Sequence, residues 1–355
     1  MNPKIFLALL ELSLPLFMEI NPAVKQDYSL KSSNTFALEA KAQYFAQADS
    51  VACLKSLLLS YPHNPKFILG AGSNILFTQD FPGLIIQTIF SGIAPYKNEE
   101  DALFLEVGAG EPWENIIEYT IEKELYGLEN LTLIPGTIGG ACVQNIGAYG
   151  MEFQEVVEWV KVYDILEQKE KILSKEACQF GYRQSLFKHH PELIILSAGL
   201  RLRKTSCFRI QYPGIQEEIT KRGVSLVRLQ DMVDIIRTIR RSKLPDPKEL
   251  GNAGSFFKNP VIPLAHYERL QKSYPKMPSY PEGKNHRKVP AGWLIDQCGW
   301  KGKRTGNCGV YEHQALILVN YGNSTGKEIL QLSQNIQSSV QKKFDIALET
   351  EVVII

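Results

Sequence analysis

The stretch IPGTIGGACVQNIGAYG, residues 134–150, carries glycine at 136, 139, 140, 147 and 150 and no Asp, Glu, Lys or Arg. A segment this poor in side chains lets something large lie against its backbone. Tight turns in a buried core would use the same glycines. Thr137, Gln144 and Asn145, however, supply polar groups that such turns do not need. A diphosphate and a flat ring system fit the stretch.

Upstream, KFILG (66–70), LIIQTI (84–89) and LFLEVGAG (103–110) read as short strands that end in turns. The first runs into GAGSN (70–74), whose exposed amides suit a phosphate as well as they suit a plain tight turn. It is not the dinucleotide fingerprint, because Ile75 stands where G-x-G-x-x-G needs its third glycine. WENIIEYTIEKEL (113–125) has helical periodicity with acidic residues in its first turn. Downstream, VVEWVKVYDI (156–165) and LIILSAGLRLRK (193–204) read as strands, and LQDMVDIIRTIRRSK (229–243) as a helix. The prolines of LPDP (244–247) break that helix and mark the best domain boundary. Beyond it come a polar Pro/Tyr-rich connector (273–290), a helix start at AGWLIDQCG (291–299) and a strand at ALILVN (315–320). A long helix (327–344) and a terminal strand, EVVII (351–355), follow. Strands mixed with helices make this an α+β chain.

The chain has 355 residues, with 39 basic and 38 acidic ones. Near neutrality gives no electrostatic support for nucleic acid or an acidic membrane surface as a partner. Six cysteines are scattered with no C-x-x-C pair, which argues for buried thiols in a reducing compartment and against a structural metal. The apolar N-terminus is interrupted by Glu11 and Pro15 and lacks a clear cleavage site. It reads as an extension, residues 1–27, and not as a signal peptide or a membrane span.

Three further residues invite chemistry. Arg183, in FGYRQSLFK (180–188), has the planar fork that captures a carboxylate, although taken alone a surface salt bridge is the plainer explanation. Ser255, in GNAGSFFKNP (251–260), sits beside Lys258 and Asn259 and could donate a proton; a turn or cap serine is the plain alternative. Glu351 is the one charged residue of the terminal EVVII, facing either solvent or a site.

Together these segments resemble the UDP-N-acetylenolpyruvoylglucosamine reductase (MurB) family. The matching stretches run in order: SLKSSNTFALEA (29–40), GAGSNILF (70–77), IPGTIGGACVQNIGAYG (134–150), FGYRQSLFK (180–188), KLPDPKELGNAGSFFKNP (243–260), AGWLIDQCGWKG (291–302), HQALILVN (313–320) and the C-terminal glutamate. The LPDP…GNAGSFFKNP block and the connector resemble the subclass with the longer substrate domain.

The resemblance implies a two-lobed FAD-binding domain of the vanillyl-alcohol-oxidase (PCMH) type over 28–243, with lobes at about 28–92 and 93–243. A separate α+β substrate-binding domain over 244–345 and a C-terminal strand over 346–355 complete the expected chain. It implies a cytoplasmic, monomeric oxidoreductase of peptidoglycan synthesis, UDP-N-acetylmuramate dehydrogenase. NADPH gives a hydride to FAD, and flavin N5 passes it to the enolpyruvyl group of a UDP-sugar. Ser255, Glu351 and Arg183 would be catalytic, with Ser255 protonating the enolate. Tyr212, Lys243 and Asn259 would bind substrate. FAD would lie against Gly70, Ala71, Gly72, Ser73 and Asn74, and against Pro135, Gly136, Thr137, Gly139, Gly140, Gln144, Asn145, Gly147, Ala148 and Tyr149. An enolpyruvyl ether accepts hydride poorly, so its carboxylate must be polarised. Arg183, and a Glu351 whose pKa burial raises, fit that task. The competing readings are another flavoprotein oxidase of the same fold and a non-catalytic UDP-sugar sensor. The extension and Val353, where relatives often carry a basic residue, depart from the family pattern.

Overall fold

The computed structural model describes residues 23–223 and 228–355, so most of the expected extension lies outside the described residues. Its last residues do not: the first strand, Lys25–Ser29, begins inside it and pairs antiparallel with Lys41–Ala48. That pair joins Phe81–Thr88 and Lys66–Leu69 in a four-stranded sheet. The last three of these strands run parallel, with Phe45 opposite Ile85 and Ile68 opposite Ile86. Parallel neighbours need a covering crossover. The helix Val51–Ser60 supplies one, and Ser50 caps it by accepting the Cys53 amide at 3.2 Å.

A second sheet is wholly antiparallel, in the order Lys169–Ser174, Val157–Asp164, Leu193–Arg203, Ala102–Gly108, Ile93–Asn98. One apolar core connects both sheets, from Leu54 and Leu84 through Trp113 to Val160 and Leu200. The helix at 113 stops at Glu122, earlier than its periodicity suggests. Glu124 takes a left-handed φ of 50°, and the Leu125 amide turns back to the Thr120 carbonyl at 2.8 Å.

The helix Leu229–Lys243 matches its expected bounds, with Met232, Val233, Ile235, Ile236 and Ile239 buried along one face. Leu244 is extended, at φ −117° and ψ 132°, as a residue before proline should be. Beyond it lies a sheet in the order Gly251–Ser255, Ile317–Asn320, Cys308–Val310, Arg304–Thr305. The helix Gly326–Phe344 covers it and opens with a Thr325/Glu328 capping box. The connector that reads as irregular folds partly into a three-stranded sheet of Val261–Pro263, His286–Lys288 and Tyr280–Glu282.

Two seams join this C-terminal part to the first sheet. The Asn252 amide donates to the Thr35 carbonyl at 3.0 Å, and Asn320 Nδ2 to the Phe36 carbonyl at 2.9 Å. The terminal segment forms only a two-residue strand, Val353–Ile354, parallel to Ile75–Leu76 directly after the GAGSN loop. Among the described residues no helix is long and apolar enough to cross a membrane.

Candidate active site

The seams bring four distant segments together. The segment 134–150 holds a short helix, Ile138–Gln144, where its glycines read as loop. Thr137 caps it, accepting the Gly140 amide at 3.4 Å, and the Gly139 amide donates to the Ala109 carbonyl at 2.8 Å. Asn145 ends it in the left-handed region at φ 41°. Its side chain is fully buried and already engaged: Nδ2 donates to Glu152 Oε2 at 3.0 Å and to the Gly181 carbonyl at 2.8 Å, and Oδ1 accepts the Gln154 amide at 2.9 Å. Asn145 therefore braces the segment with its side chain.

The two glycine-rich loops touch. Ser73 Oγ donates to the Pro135 carbonyl at 2.9 Å, and Gln87 Nε2 holds the Gly70 carbonyl at 3.1 Å. The amides of Ala71, Gly72 and Ser73 find no partner among the described residues. Gln144 Oε1 is a buried acceptor with no partner there either. Buried polar atoms are rarely left so, and unpaired amides beside a glycine-rich wall suit a diphosphate and a polar ring edge. This donor and acceptor set fits FAD. Gly136, Gly139, Gly140 and Ala148 line the same segment.

Beside these loops stands an ion pair. Arg183 Nε donates to Glu351 Oε1 at 2.8 Å, and each side chain is about one-sixth exposed, at 16% and 17%. Arg183 Nη2 donates to the Gly147 carbonyl at 2.6 Å, and Nη1 to the Asn145 carbonyl at 3.4 Å. A Cβ at position 147 would lie 2.9 Å from the Met151 carbonyl oxygen and 3.0 Å from Arg183 Nη1, closer than side chains ordinarily pack, so glycine leaves room for the guanidinium. Glu351 is placed by backbone bonds: its amide donates to the Phe256 carbonyl at 2.8 Å, and its carbonyl accepts Asn74 Nδ2 at 3.1 Å. Burial pushes the Glu351 carboxyl above the usual carboxylate range, against the opposing pull of Arg183, Lys188 and Lys258. The chemistry available is a carboxyl that burial makes harder to ionise than an ordinary glutamate, next to a planar cation.

Ser255 is half-buried at the end of Gly251–Ser255, one residue from the carbonyl that holds Glu351. Asn259 accepts the Ala291 amide through Oδ1 at 2.9 Å, and its own amide donates to Tyr182 Oη at 3.4 Å. Tyr149 and Tyr212 form an edge-to-face pair with centroids 5.1 Å apart. Lys243 Nζ lies 3.9 Å from where a Cβ on Gly214 would sit, just after Tyr212. No hydrogen bond or ring contact among the described residues ties Tyr212 or Lys243 to the Arg183–Glu351 pair. Sequence reasoning missed Arg240, whose Nε is buried without a partner beside Tyr149, and Lys288, which stacks 4.1 Å over the Tyr182 ring. Arg240 carries a faint signal as a cation near the end of an amphipathic helix; Lys288 carries none.

Residues 246–355 match the family described as the C-terminal domain of UDP-N-acetylenolpyruvoylglucosamine reductase, and residues 42–169 match an FAD binding domain. The curated reductase of that name from Flavobacterium johnsoniae is 43% identical over 335 residues, spanning 94% of this chain and 99% of the relative. This chain belongs to the UDP-N-acetylenolpyruvoylglucosamine reductase family. Other reductases of the family are similar to it over comparable lengths. That of Amoebophilus asiaticus is 43% identical, covering 94% of this chain and 99% of its own. That of Pseudomonas aeruginosa is 39% identical, covering 92% and 98%. The crystal structure of the reductase (MurB) from Thermus caldophilus shares the fold, with a TM-score of 0.66 at 23% identity over 94% of this chain and 99% of that one. The chain is an oxidoreductase of this family, with FAD as its cofactor and NADPH as hydride donor.

Proposed function

We propose that this enzyme reduces the enolpyruvyl group of UDP-N-acetylglucosamine enolpyruvate to UDP-N-acetylmuramate, working as a monomer in the bacterial cytoplasm. The observation that carries the assignment is the Arg183–Glu351 pair, held at 2.8 Å between the glycine-rich segments. FAD, when bound, supplies the hydride that it has taken from NADPH. In this reading, Ala71, Gly72, Ser73 and the segment from Pro135 to Tyr149 hold the flavin nucleotide. Residues 28–243 form the flavin domain and 244–345 the substrate domain.

Arg183 receives the substrate carboxylate with its guanidinium fork and draws off the charge that builds there as hydride reaches the terminal alkene carbon. Glu351, whose carboxyl burial pushes above the usual range, donates a hydrogen bond to the same oxygens when it carries its proton. Ser255 then gives its proton to the adjacent carbon. Lys243 neutralises the diphosphate, while Asn259 orients it through its Nδ2. The aromatic pair of Tyr149 and Tyr212 closes the outer side against water.

An anaerobic stopped-flow trace tests this. The yellow holoenzyme should bleach with NADPH and recolour rapidly when the UDP-sugar enolpyruvate is added. Recolouring only on admission of oxygen would overturn the reading in favour of an oxidase.

A further inference from the structure

Arg183 is not a glycine, yet its φ is 54°, in the left-handed region that L-residues avoid. Something must hold it there. The turn closes on itself through reciprocal bonds of 3.0 Å between Gly181 and Gln184. Among the described residues, the one side-chain hydrogen bond to the Arg183 main chain comes from Lys188, whose Nζ donates to the Arg183 carbonyl at 2.7 Å. Lys188 itself is placed by the helical turn Leu186–Lys188, anchored where the Leu186 amide donates to the Cys178 carbonyl at 2.8 Å. Beneath it, Ser185 Oγ donates to the Val143 carbonyl of the flavin-side helix at 2.7 Å.

We propose that Lys188 is a positioning residue: its ammonium clamps the left-handed turn that aims the Arg183 guanidinium at Glu351, and its charge adds to the field on the substrate carboxylate. The proposal rests on the reading of Arg183 and Glu351 given above. Three cations, Arg183, Lys188 and Lys258, face Glu351. Lys258 is itself drawn toward Glu349 Oε2 at 3.2 Å, whereas Lys188 bonds to the Arg183 main chain. Burial, with Lys258 and Arg183 nearby, lowers the Lys188 ammonium to about 8. Its charge therefore fades within reach of mildly alkaline conditions, and with it the charge-assisted bond to the Arg183 carbonyl.

The test is the rate at which NADPH-reduced holoenzyme is reoxidised by the UDP-sugar enolpyruvate, followed from pH 6 to pH 10 (about the range that the lowered ammonium requires). Wild type, Lys188→Met and Lys188→Arg are compared, with Arg183→Met as the control on the underlying reading. Lys188→Met should reoxidise about tenfold more slowly at neutral pH, the loss expected for one hydrogen bond to a charged donor. It should also lack the inflection near pH 8 expected of wild type from the lowered ammonium. Lys188→Arg, which stays charged, should recover most of the rate and lack the Lys188 inflection, leaving only the alkaline limb set by Glu351. A Lys188→Met enzyme with wild-type rate and pH profile, while Arg183→Met is slow, would overturn the proposal alone. An unimpaired Arg183→Met would instead overturn the reading it rests on. Equal loss of rate at every pH in both Lys188 variants, tracking loss of bound FAD, would assign Lys188 a purely structural role and also sink it. Should both variants fail to fold, a wild-type profile flat between pH 7 and pH 9, about one unit either side of the lowered ammonium, would refute it.

Discussion

Replacing Glu351 with Gln keeps the shape of the side chain and removes its ionisation. Three cations, Arg183, Lys188 and Lys258, face this carboxyl, and the substitution removes the negative charge that it carries once ionised, although Lys258 keeps Glu349 at 3.2 Å. Two consequences pull in opposite directions. The substrate carboxylate meets a more positive pocket wherever wild-type Glu351 would be ionised and an equally charged one wherever it would be protonated, so its affinity should hold or rise. The transition state loses an acid that shares its proton with the developing oxyanion. General acids contribute about 10²- to 10⁴-fold. An amide still donates a hydrogen bond, so the low end applies, about a hundredfold or about 3 kcal/mol at 1.36 kcal/mol per tenfold. The assay is anaerobic reoxidation at saturating substrate, with the dissociation constant taken from the flavin spectrum. The wild-type rate should fall on the alkaline side of the raised Glu351 pKa, and the variant should lack that limb. A Glu351→Gln rate within about threefold of wild type, with the limb intact, would refute the reasoning, since the expected loss is tens of times larger.

Ser255→Ala should accept hydride from NADPH as wild type does and then reoxidise about 10²-fold or more slowly with substrate, because the alkene carbon lacks its proton donor; impaired flavin reduction itself would contradict the role. Gly72→Ala should lower the melting temperature and the flavin content together. Its Cβ would fall 2.0 Å from the Ser33 carbonyl oxygen at a φ of +66°, where relief requires moving backbone, at a cost of about 1–3 kcal/mol. Unchanged flavin absorbance per mole of protein would count against the cradle. For Lys188, the folded-state pKa lies below that of the unfolded chain, about 8 against 10.5. The unfolded chain therefore binds more protons in that window, and stability gains from this group as pH rises through it. Denaturant titrations of wild type and Lys188→Met across the window should differ in slope in that direction. Glu351 works the other way: its raised pKa makes stability fall as pH rises from 4.5 through the folded value, and Glu351→Gln should remove that fall.

Much of the fold could be read along the chain where local pattern and tertiary role agree. Leu229–Lys243 has a clean apolar stripe and a proline stop, and its bounds match. The strands Lys66–Leu69 and Leu193–Arg203 are apolar runs between turn residues. The helix Ile138–Gln144 could not be read, because glycine is a poor helix former and nothing in IGGACVQ has helical periodicity. It exists through bonds from outside: the Thr137 cap, the Ala109 carbonyl and Ser185 Oγ. The small sheet at 261–288 is missed for a related reason, since three-residue strands are too short for a period of two to show. Individual site residues are plainer still. Arg183 and Glu351 each have an ordinary surface explanation, and only the family resemblance singled them out. Lys188 acts on a carbonyl made accessible by a positive φ at an arginine, and no residue pattern announces that geometry.

The way Glu351 is delivered explains why so short a terminal strand suffices. Its carbonyl is held by Asn74, its amide by Phe256, and the Val353 amide bonds the Asn74 carbonyl at 3.0 Å. These three bonds come from the GAGSN turn and from the segment that follows Ser255. The carboxyl is thus fixed between the expected flavin cradle and the expected proton donor without using its own oxygens, one of which remains for Arg183. Arg183 is treated likewise: the Gly181–Gln184 turn and Lys188 set its backbone, so its guanidinium is free to divide between Glu351 and the Gly147 carbonyl. Fixing charged groups through their main chains leaves their side chains preorganised but replaceable in their hydrogen bonds. Electrostatic catalysis on an incoming carboxylate requires that condition. In the proposed reading, an anionic substrate takes over the Arg183 contact that Glu351 holds here, and Glu351, once protonated, turns from acceptor to donor.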